Sequence, residues 1–336
     1  MISDKICNVA YPIISIALGT FNGEKYLESQ LESFISQTLH PYELVVCDDA
    51  STDSTLQILN EFSMKAPFPV RIFRNERNIG VIQNFSRALS LCTGEYIALS
   101  DQDDIWLPDK LEASYSRIRQ AEGNLGVDIP LLIHSDLRLI DTEGNEIAPS
   151  FLKFQMLKHK EIDSLKTILA RNFVTGCTCL CNRILVNESL PIPENVFMHD
   201  WWMALIAASR GHILFIPEAK VLYRQHSSNV LGAKHPYYHN IKGLLKRSNP
   251  PKAITTLLKL YYSAKELRDR LNELSCEVPS FLDKYIHALQ IGGIINAYIV
   301  LCSIKVRTQG IIPNLLFFYR IARGQHIKYL NTTIHP

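Results

Sequence analysis

Three carboxylates fall within four residues at Asp101-Gln102-Asp103-Asp104. Side by side they repel, and a divalent cation relieves that repulsion because it takes hard oxygen ligands and bridges them to phosphate. The same acids also suit the start of a helix opened by Pro108, where negative charge meets the positive end of the peptide dipoles. A second acidic group, Asp48-Asp49-Ala50-Ser51-Thr52-Asp53, follows the apolar run ELVVC. Here Asp49 can accept hydrogen bonds from a base or ribose, while Ser51 and Asp53 cap the next helix. Thr20-Phe21-Asn22-Gly23 offers small polar side chains and backbone N–H groups to a nucleotide. Asn75 to Gly80, with Asn78 inside and Asn84 beyond, reads equally as a ligand loop or as a turn using Asn and Gly at left-handed angles.

Cys177, Cys179 and Cys181 alternate, which places the three thiols on one face of a strand. Tetrahedral zinc sites are usually built from Cys-x2–4-Cys pairs, so these are assigned to the core.

The elements that must carry these groups repeat one rhythm. Apolar runs begin at Ile13, Glu43, Val70 and Tyr96, so they recur every 26 to 30 residues, with helical patterns between them. Leu27, Leu31, Phe34 and Ile35 line one helical face, and Leu56, Leu59 and Phe62 another. Such alternation predicts right-handed βαβ units and a mostly parallel sheet, an α/β fold with ligands beyond the carboxyl ends of the strands. Every motif above sits at such an end. Leu131–Asp136 adds a strand, and Asp141 to Gly144 reads as a hairpin turn. Val174–Asn182, Ile213–Pro217 and Val221–His226 read as strands, and His199–Arg210 as a helix. The glycine fingerprints of dinucleotide folds and P-loops are absent.

The chain has 336 residues, 47% hydrophobic and 20% charged, so it can build a packed core. With 35 basic and 33 acidic residues its net charge is +2, and bulk capture of nucleic acid is not expected. The first residues lack an apolar run of signal length, and eight cysteines in so long a chain form no disulfide framework, which points to the cytoplasm. The longest apolar stretch, Leu289–Ser303, is shorter than the roughly 20 residues a spanning helix needs.

The strings ISIALGTFNGEKYL, ELVVCDDASTDST, NERNIGVIQNFSRAL and GEYIALSDQDDIWLPDKLE, in that order, resemble the family 2 inverting glycosyltransferases of the GT-A fold. The resemblance is specific over residues 12 to about 112 and continues to about 232. SDQDDIWLPDK and YRQHSSN look most like bacterial rhamnosyltransferases of surface polysaccharide synthesis. The resemblance implies a GT-A catalytic domain over 1–235 and a helical extension over 236–336. It implies a nucleotide-diphosphate sugar donor, a divalent metal (Mg or Mn), and a glycan or lipid-linked acceptor in O-antigen or capsule synthesis.

By the same resemblance Thr20 and Asn22 belong to the nucleotide loop, and Phe21 stands where the family often has Tyr. Asp49 matches the base-binding carboxylate, Asp101 faces ribose and metal, Asp103 is the direct metal ligand, and Asn78 joins the donor site. His199-Asp200-Trp201-Trp202 occupies the place of the family's base, with Asp200 the candidate and His199 the runner-up; Asp200 would otherwise cap its helix. Arg224 or His226 touches phosphate or metal. A different class of function, a non-catalytic nucleotide-sugar or glycan-binding protein on the same fold, would survive loss of Asp103 and Asp200 unchanged.

Beyond residue 237 the pattern is helical and basic, over Lys252–Ser275, Phe281–Lys305 and Ile311–Arg323, with Lys305, Arg307, Arg320, Arg323 and Lys328 near apolar faces. Two uses fit: docking at the inner face of the membrane beside a lipid-linked acceptor, or packing on the catalytic domain, including as a homodimer.

Overall fold

The computed structural model describes residues 12–160, 163–226 and 250–330. The expected domain boundary near 235, and Ser227 to Asn229 of YRQHSSN, lie outside the described residues.

The four expected strands form: β1 (Ile14–Thr20), β2 (Glu43–Asp48), β3 (Val70–Arg74) and β4 (Tyr96–Ser100). They pair in parallel in the order β3-β2-β1-β4. Helices α1 (Leu27–Ile35), α2 (Thr55–Lys65) and α3 (Val81–Leu91) make the connections. A short β5 (Ile105–Trp106) and α4 (Lys110–Leu125) follow. The sheet continues through β6 (Leu131–Ile140), β7 (Glu146–Ala148), β8 (Leu180–Asn182) and β9 (His212–Arg224), in the order β4-β8-β6-β9-β5. Strand β8 is antiparallel to both β4 and β6, whereas β6 and β9 are parallel. This is the GT-A arrangement that the sequence resemblance implied.

Period-two alternation divides the core into two layers. Ile14, Ile16 and Leu18 of β1 and Leu44 and Val46 of β2 face α1, α2 and α4. Ala17, Val45, Cys47, Ile97 and Leu99 face the opposite layer, built by α3 and α8 (His199–Arg210). The short helices α5 (Phe151–Phe154), α6 (Ser164–Ile168) and α7 (Arg183–Ser189) lie between β7 and α8 in the chain.

Three expectations are corrected. Residues 174–182 do not form one strand: Gly176–Thr178 is a 3-10 turn, and only Leu180–Asn182 is extended. The turn breaks the alternation, so Cys177 faces the α1/α4 layer while Cys179 and Cys181 face the α3/α8 layer. All three are buried and free, and the assignment to core stands. Second, Ile213–Pro217 and Val221–His226 belong to one strand, β9, whose pairing with β6 shifts register around Asp136; Pro217 sits in the irregular stretch, where a missing N–H breaks no ladder bond. Third, the segment expected as one helix over Phe281–Lys305 is broken. Helix α10 (Ser280–Ile291) stops at Gly292 and Gly293, both at positive φ (63° and 86°), before α11 (Gly293–Tyr298) and a π-helical turn, Ile299–Ser303. Glycine alone adopts those angles without strain.

Helix α9 (Pro250–Glu273) and α12 (Ile311–Arg323) complete the chain. Leu257, Leu260, Leu267 and Leu271 of α9 and Tyr285 of α10 share one buried cluster with Trp202 and Leu205 of α8. The Arg270 guanidinium donates to the carbonyls of Glu188, Leu190 and Pro191, at 2.7 to 3.0 Å. Tyr285 donates its hydroxyl to the Leu169 carbonyl at 2.8 Å. The C-terminal helices therefore pack on the α8 side of the sheet. No helix among the described residues is long and apolar enough to cross a membrane.

Candidate active site

The carboxyl ends of β1, β2 and β4 bring three loops together. Thr20 donates its hydroxyl to Asp48 Oδ1 at 3.0 Å. Asn22, at φ 48°, donates its N–H to Ser51 Oγ and accepts the Thr52 N–H on its side-chain oxygen, each at 2.9 Å. These two predicted nucleotide residues thus lock the β1 loop to the β2 loop. Ser51 bonds Asp48 and does not cap α2; that work falls to Asp53, which accepts the Thr55 N–H at 3.0 Å.

Asp49 is buried, and its carboxylate accepts Asn75 Nδ2 at 2.7 Å, Ile79 N at 2.8 Å and Gly80 N at 2.9 Å. A carboxylate offers about four lone-pair sites, so one further donor remains possible. Asp49 clasps the 75–80 loop, where Asn78 is exposed with its side-chain oxygen on Gly80 N.

Gln102, which the sequence offered no reason to single out, joins the β1 loop to the acid cluster. Its Oε1 accepts Phe21 N at 2.8 Å and its Nε2 donates to Phe21 O at 3.0 Å. A Cβ at Gly23 would run into this amide, which explains the glycine. The Phe21 ring is left 44% exposed.

The acid cluster splits by role. Asp104 is fully buried and accepts the Arg224 N–H at 3.1 Å; burial, then Asp103 and Asp101, push its carboxyl well up. Asp103 points to His226, with Oδ2 and Nε2 2.7 Å apart. Asp101 is pushed up to about 8, first by burial and then by Asp103 and Asp200. That crowding of acids is what a divalent cation relieves, and carboxylates with an imidazole are donor types that suit Mg or Mn. Of the predicted trio, Asp103 and His226 meet, but Asp101 does not join them as a third ligand within 4.8 Å; among the described residues the atoms that converge so closely are those of Asp101, Asp104 and the Cys177 thiol, and burial holds that thiol protonated, which suits neither metal.

Beneath the cluster lies Lys110, fully buried on α4, its Nζ 3.5 Å from the Trp106 ring centroid. Burial pushes it down to about 8, and Asp104 pulls it back toward the charged form. Arg224 is buried too. Its guanidinium donates to the carbonyls of Asp103, Asp141 and Thr142 at 3.2 to 3.3 Å and lies over the Tyr26 ring, on which His226 also stacks. The predicted phosphate ligand is therefore placed as the fastener between the acid cluster and the β6–β7 hairpin. That hairpin turns, as expected, at Asp141 to Gly144, with Asp141 Oδ1 accepting the N–H groups of Glu143 and Asn145.

Asp200 opens α8. Its Oδ2 accepts the Gly176 N–H at 2.9 Å, its Oδ1 accepts the Trp201 N–H at 2.7 Å, and burial pushes it up to about 6. A Cβ at Gly176 would lie 3.2 Å from the Asp200 Cβ. His199 is buried flat against Phe85, ring centroids 3.8 Å apart, and burial pushes it down to about 3; it is a poor base by position and by basicity. Trp202 is fully buried with its Nε1 on Ser189 O, and Trp201 packs on Phe197 with its Nε1 on Ile168 O. Both are core residues. Ser150 caps α5, its Oγ accepting the Lys153 N–H at 3.1 Å, and Asp136 supports that turn by accepting the Leu152 N–H at 3.2 Å.

A mixed sheet of this order, with an Asp-x-Asp at the end of β4 and a carboxylate at the head of a later helix, defines the GT-A class of nucleotide-sugar-binding proteins. The family model for glycosyl transferase family 2 matches residues 15–183, half of the chain, and the chain belongs to that family. It is 26% identical over 256 residues to the dTDP-rhamnosyl transferase RfbG of Shigella flexneri, covering 71% of this chain and 83% of RfbG. It is 31% identical over 218 residues to an uncharacterized protein of Mycobacterium tuberculosis, covering 65% of this chain and only 60% of that one. Among solved structures, S. aureus TarS 1–349 in complex with UDP-GlcNAc superposes with a TM-score of 0.57 at 17% identity, over 95% of this chain and 89% of that one. The mannosyltransferase PcManGT of Pyrobaculum calidifontis, in complex with GDP-Man and Mn2+, gives 0.53 at 16% identity, over 96% and 86%.

Proposed function

We propose that the protein moves a sugar, with inversion, from a nucleotide-diphosphate donor to a glycan or lipid-linked acceptor in cell-surface polysaccharide synthesis. The observation that carries this is the nearness of Asp101, just after β4, to Asp200, at the head of α8: they come from distant parts of the chain, yet the Asp200 charge helps raise the Asp101 carboxyl. A donor-side acid and an acceptor-side base so arranged suit a single in-line displacement. Likeness to RfbG supports rhamnose as the sugar. On this reading residues 1–235 are the catalytic domain and 236–336 its extension.

The first four strands supply the donor site. Thr20, Asn22 and Asn78 frame it, the exposed Phe21 ring offers a face to the base, and Asp49 holds the 75–80 loop in place. Asp101, Asp103 and His226 would hold a divalent cation, which neutralises charge on the departing diphosphate. Asp200 takes the proton from the acceptor hydroxyl as that oxygen attacks the anomeric carbon. Its pKa near 6 leaves it ionised at neutral pH yet more basic than an ordinary aspartate. The Gly176 N–H aims its oxygen.

A panel of dTDP-, UDP- and GDP-sugars with Mg or Mn, read by released nucleotide in the presence of acceptor extract, tests the reading. One donor should turn over, and Asp200→Asn should lower the rate by about 10²- to 10⁴-fold, as loss of a general base does. Release that is unchanged in both Asp103→Ala and Asp200→Asn would remove the assignment.

A further inference from the structure

From Ile291 to Leu330 the sequence contains Lys305, Arg307, Arg320, Arg323 and Lys328 and not one Asp or Glu. That segment carries +5, in a chain whose net charge is only +2. None of the five pairs with a carboxylate among the described residues. The start of α11 lies against the end of α12, where a Cβ on Gly292 would come within 2.9 Å of the Gly324 Cα, so the two helices run antiparallel. The inner face of this hairpin buries Ala297, Val300, Phe317 and Ile321 in the α8-side core. The other face is apolar as well. On α11 Ile295 is 77% exposed, with Ile294 and Tyr298 exposed too, and on α12 Ile311 is 81% exposed, with Leu315 exposed one turn on. Ile311, Leu315 and Tyr319 fall at i, i+4 and i+8, one stripe of α12.

A helix apolar on both faces needs a second covering, and a contiguous exposed apolar patch marks an interaction surface. We propose that the α11–α12 hairpin docks on an anionic lipid bilayer, with its exposed isoleucines and Leu315 among the acyl chains and the exposed Lys305, Arg307, Arg323 and Lys328 at the headgroups, while Arg320 is turned toward α9. The uncompensated positive charge selects this partner over a second copy of the chain, which would bring the same charge to the contact. With 13 residues α12 reaches about 20 Å, short of the roughly 30 Å hydrocarbon core, so it lies in the surface and does not span. The Gln309 side chain bonds the Lys158 N–H and carbonyl, at 2.5 and 2.7 Å, and ties the hairpin to the segment after α5. Docking would therefore hold the sheet at a fixed attitude to the membrane. Its use in reaching a lipid-linked acceptor rests on the function proposed above; the docking does not.

Flotation of the full chain with vesicles of phosphatidylcholine, with and without phosphatidylglycerol, tests the proposal. The protein should float with phosphatidylglycerol vesicles at low salt and about tenfold less with phosphatidylcholine alone or at high salt, where screening shortens the reach of the charges. Ile311→Glu with Leu315→Glu should weaken flotation about tenfold, since charged side chains are expelled from the acyl region. Lys305→Glu with Arg307→Glu should remove the lipid preference. Nucleotide release from a soluble donor should not change in either variant. Absence of flotation at low salt would overturn the proposal. So would a dimer in light scattering that the isoleucine variant dissociates without altering flotation, which assigns the face to a second copy. A large fall in that variant's melting temperature would also overturn it, by showing the face covered by the chain itself. Flotation without nucleotide release from any donor would sink the transferase reading alone.

Discussion

Asp200 is where burial and chemistry meet most directly. Its carboxyl is raised to about 6, so the base is unavailable below that pH. With saturating cation, kcat/KM should fall about tenfold per pH unit on the acid side of pH 6; a profile flat down to pH 5 would show that another group accepts the proton. Asp101, Asp103 and Asp200 could be named from the sequence through the family motifs they sit in, since bare acids at a strand end or helix start serve equally well as caps. Gln102, Tyr26 and Lys110 could not. Each acquires its role from a partner far along the chain, as Gln102 does from Phe21, and residue type alone carries no sign of it. Arg224 shows the opposite case: a basic residue beside a phosphate site suggests a ligand, and its Nε and Nη1 are found bonded to main-chain carbonyls, a fastening role that residue type does not announce.

At the level of elements, the strand–helix rhythm of residues 13–100 could be read directly, since buried parallel strands and one-faced helices leave distinct periods. The misreadings cluster where local geometry interrupts a period. A 3-10 turn of three residues at Gly176 reversed the side of Cys177, and two glycines ended α10 inside an apolar run. The β2–α2 loop carries a similar interruption. Ala50 sits at φ 62°, in the left-handed region that costs about 1–2 kcal/mol for a residue with a Cβ. Ala50→Gly should therefore stabilise the protein by about 0.5–1 kcal/mol in urea unfolding, the backbone entropy of glycine offsetting part of the relief. A destabilised variant would mean that the Ala50 methyl has packing partners worth more than the strain.

For the molecule as a whole, the raised carboxyls set how stability depends on pH. Asp101 and Asp200, ordinarily near 3.8, titrate at about 8 and about 6 in the folded chain. The folded state holds protons that the unfolded state releases. The stability they contribute is fully present below about pH 4 and is lost as pH rises through 6 and then 8. A divalent cation occupies the same acids in competition with protons. Manganese should thus raise the melting temperature by several degrees at pH 8 and by much less at pH 5. An equal shift at both values would place the ion elsewhere. The folded architecture was largely visible from spacing and pattern, whereas the inward and outward faces of the C-terminal helices were not, because α12 carries large apolar side chains on two faces, Phe317 and Ile321 on one and Ile311 and Leu315 on the other, and periodicity alone cannot say which side meets the core.

The paired amide bonds between Gln102 and the Phe21 peptide leave the acid loop and the aromatic loop unable to shift independently. Linkage makes any such communication symmetrical: whatever steadies one loop strengthens the hold of the other on its own guest by an identical factor. A nucleoside stripped of phosphates, and hence unable to touch the ion, should bind about fivefold more tightly with manganese present, and Gln102→Ala should erase the difference. The ion would then act as a remote tuner of base recognition as well as a counter-charge.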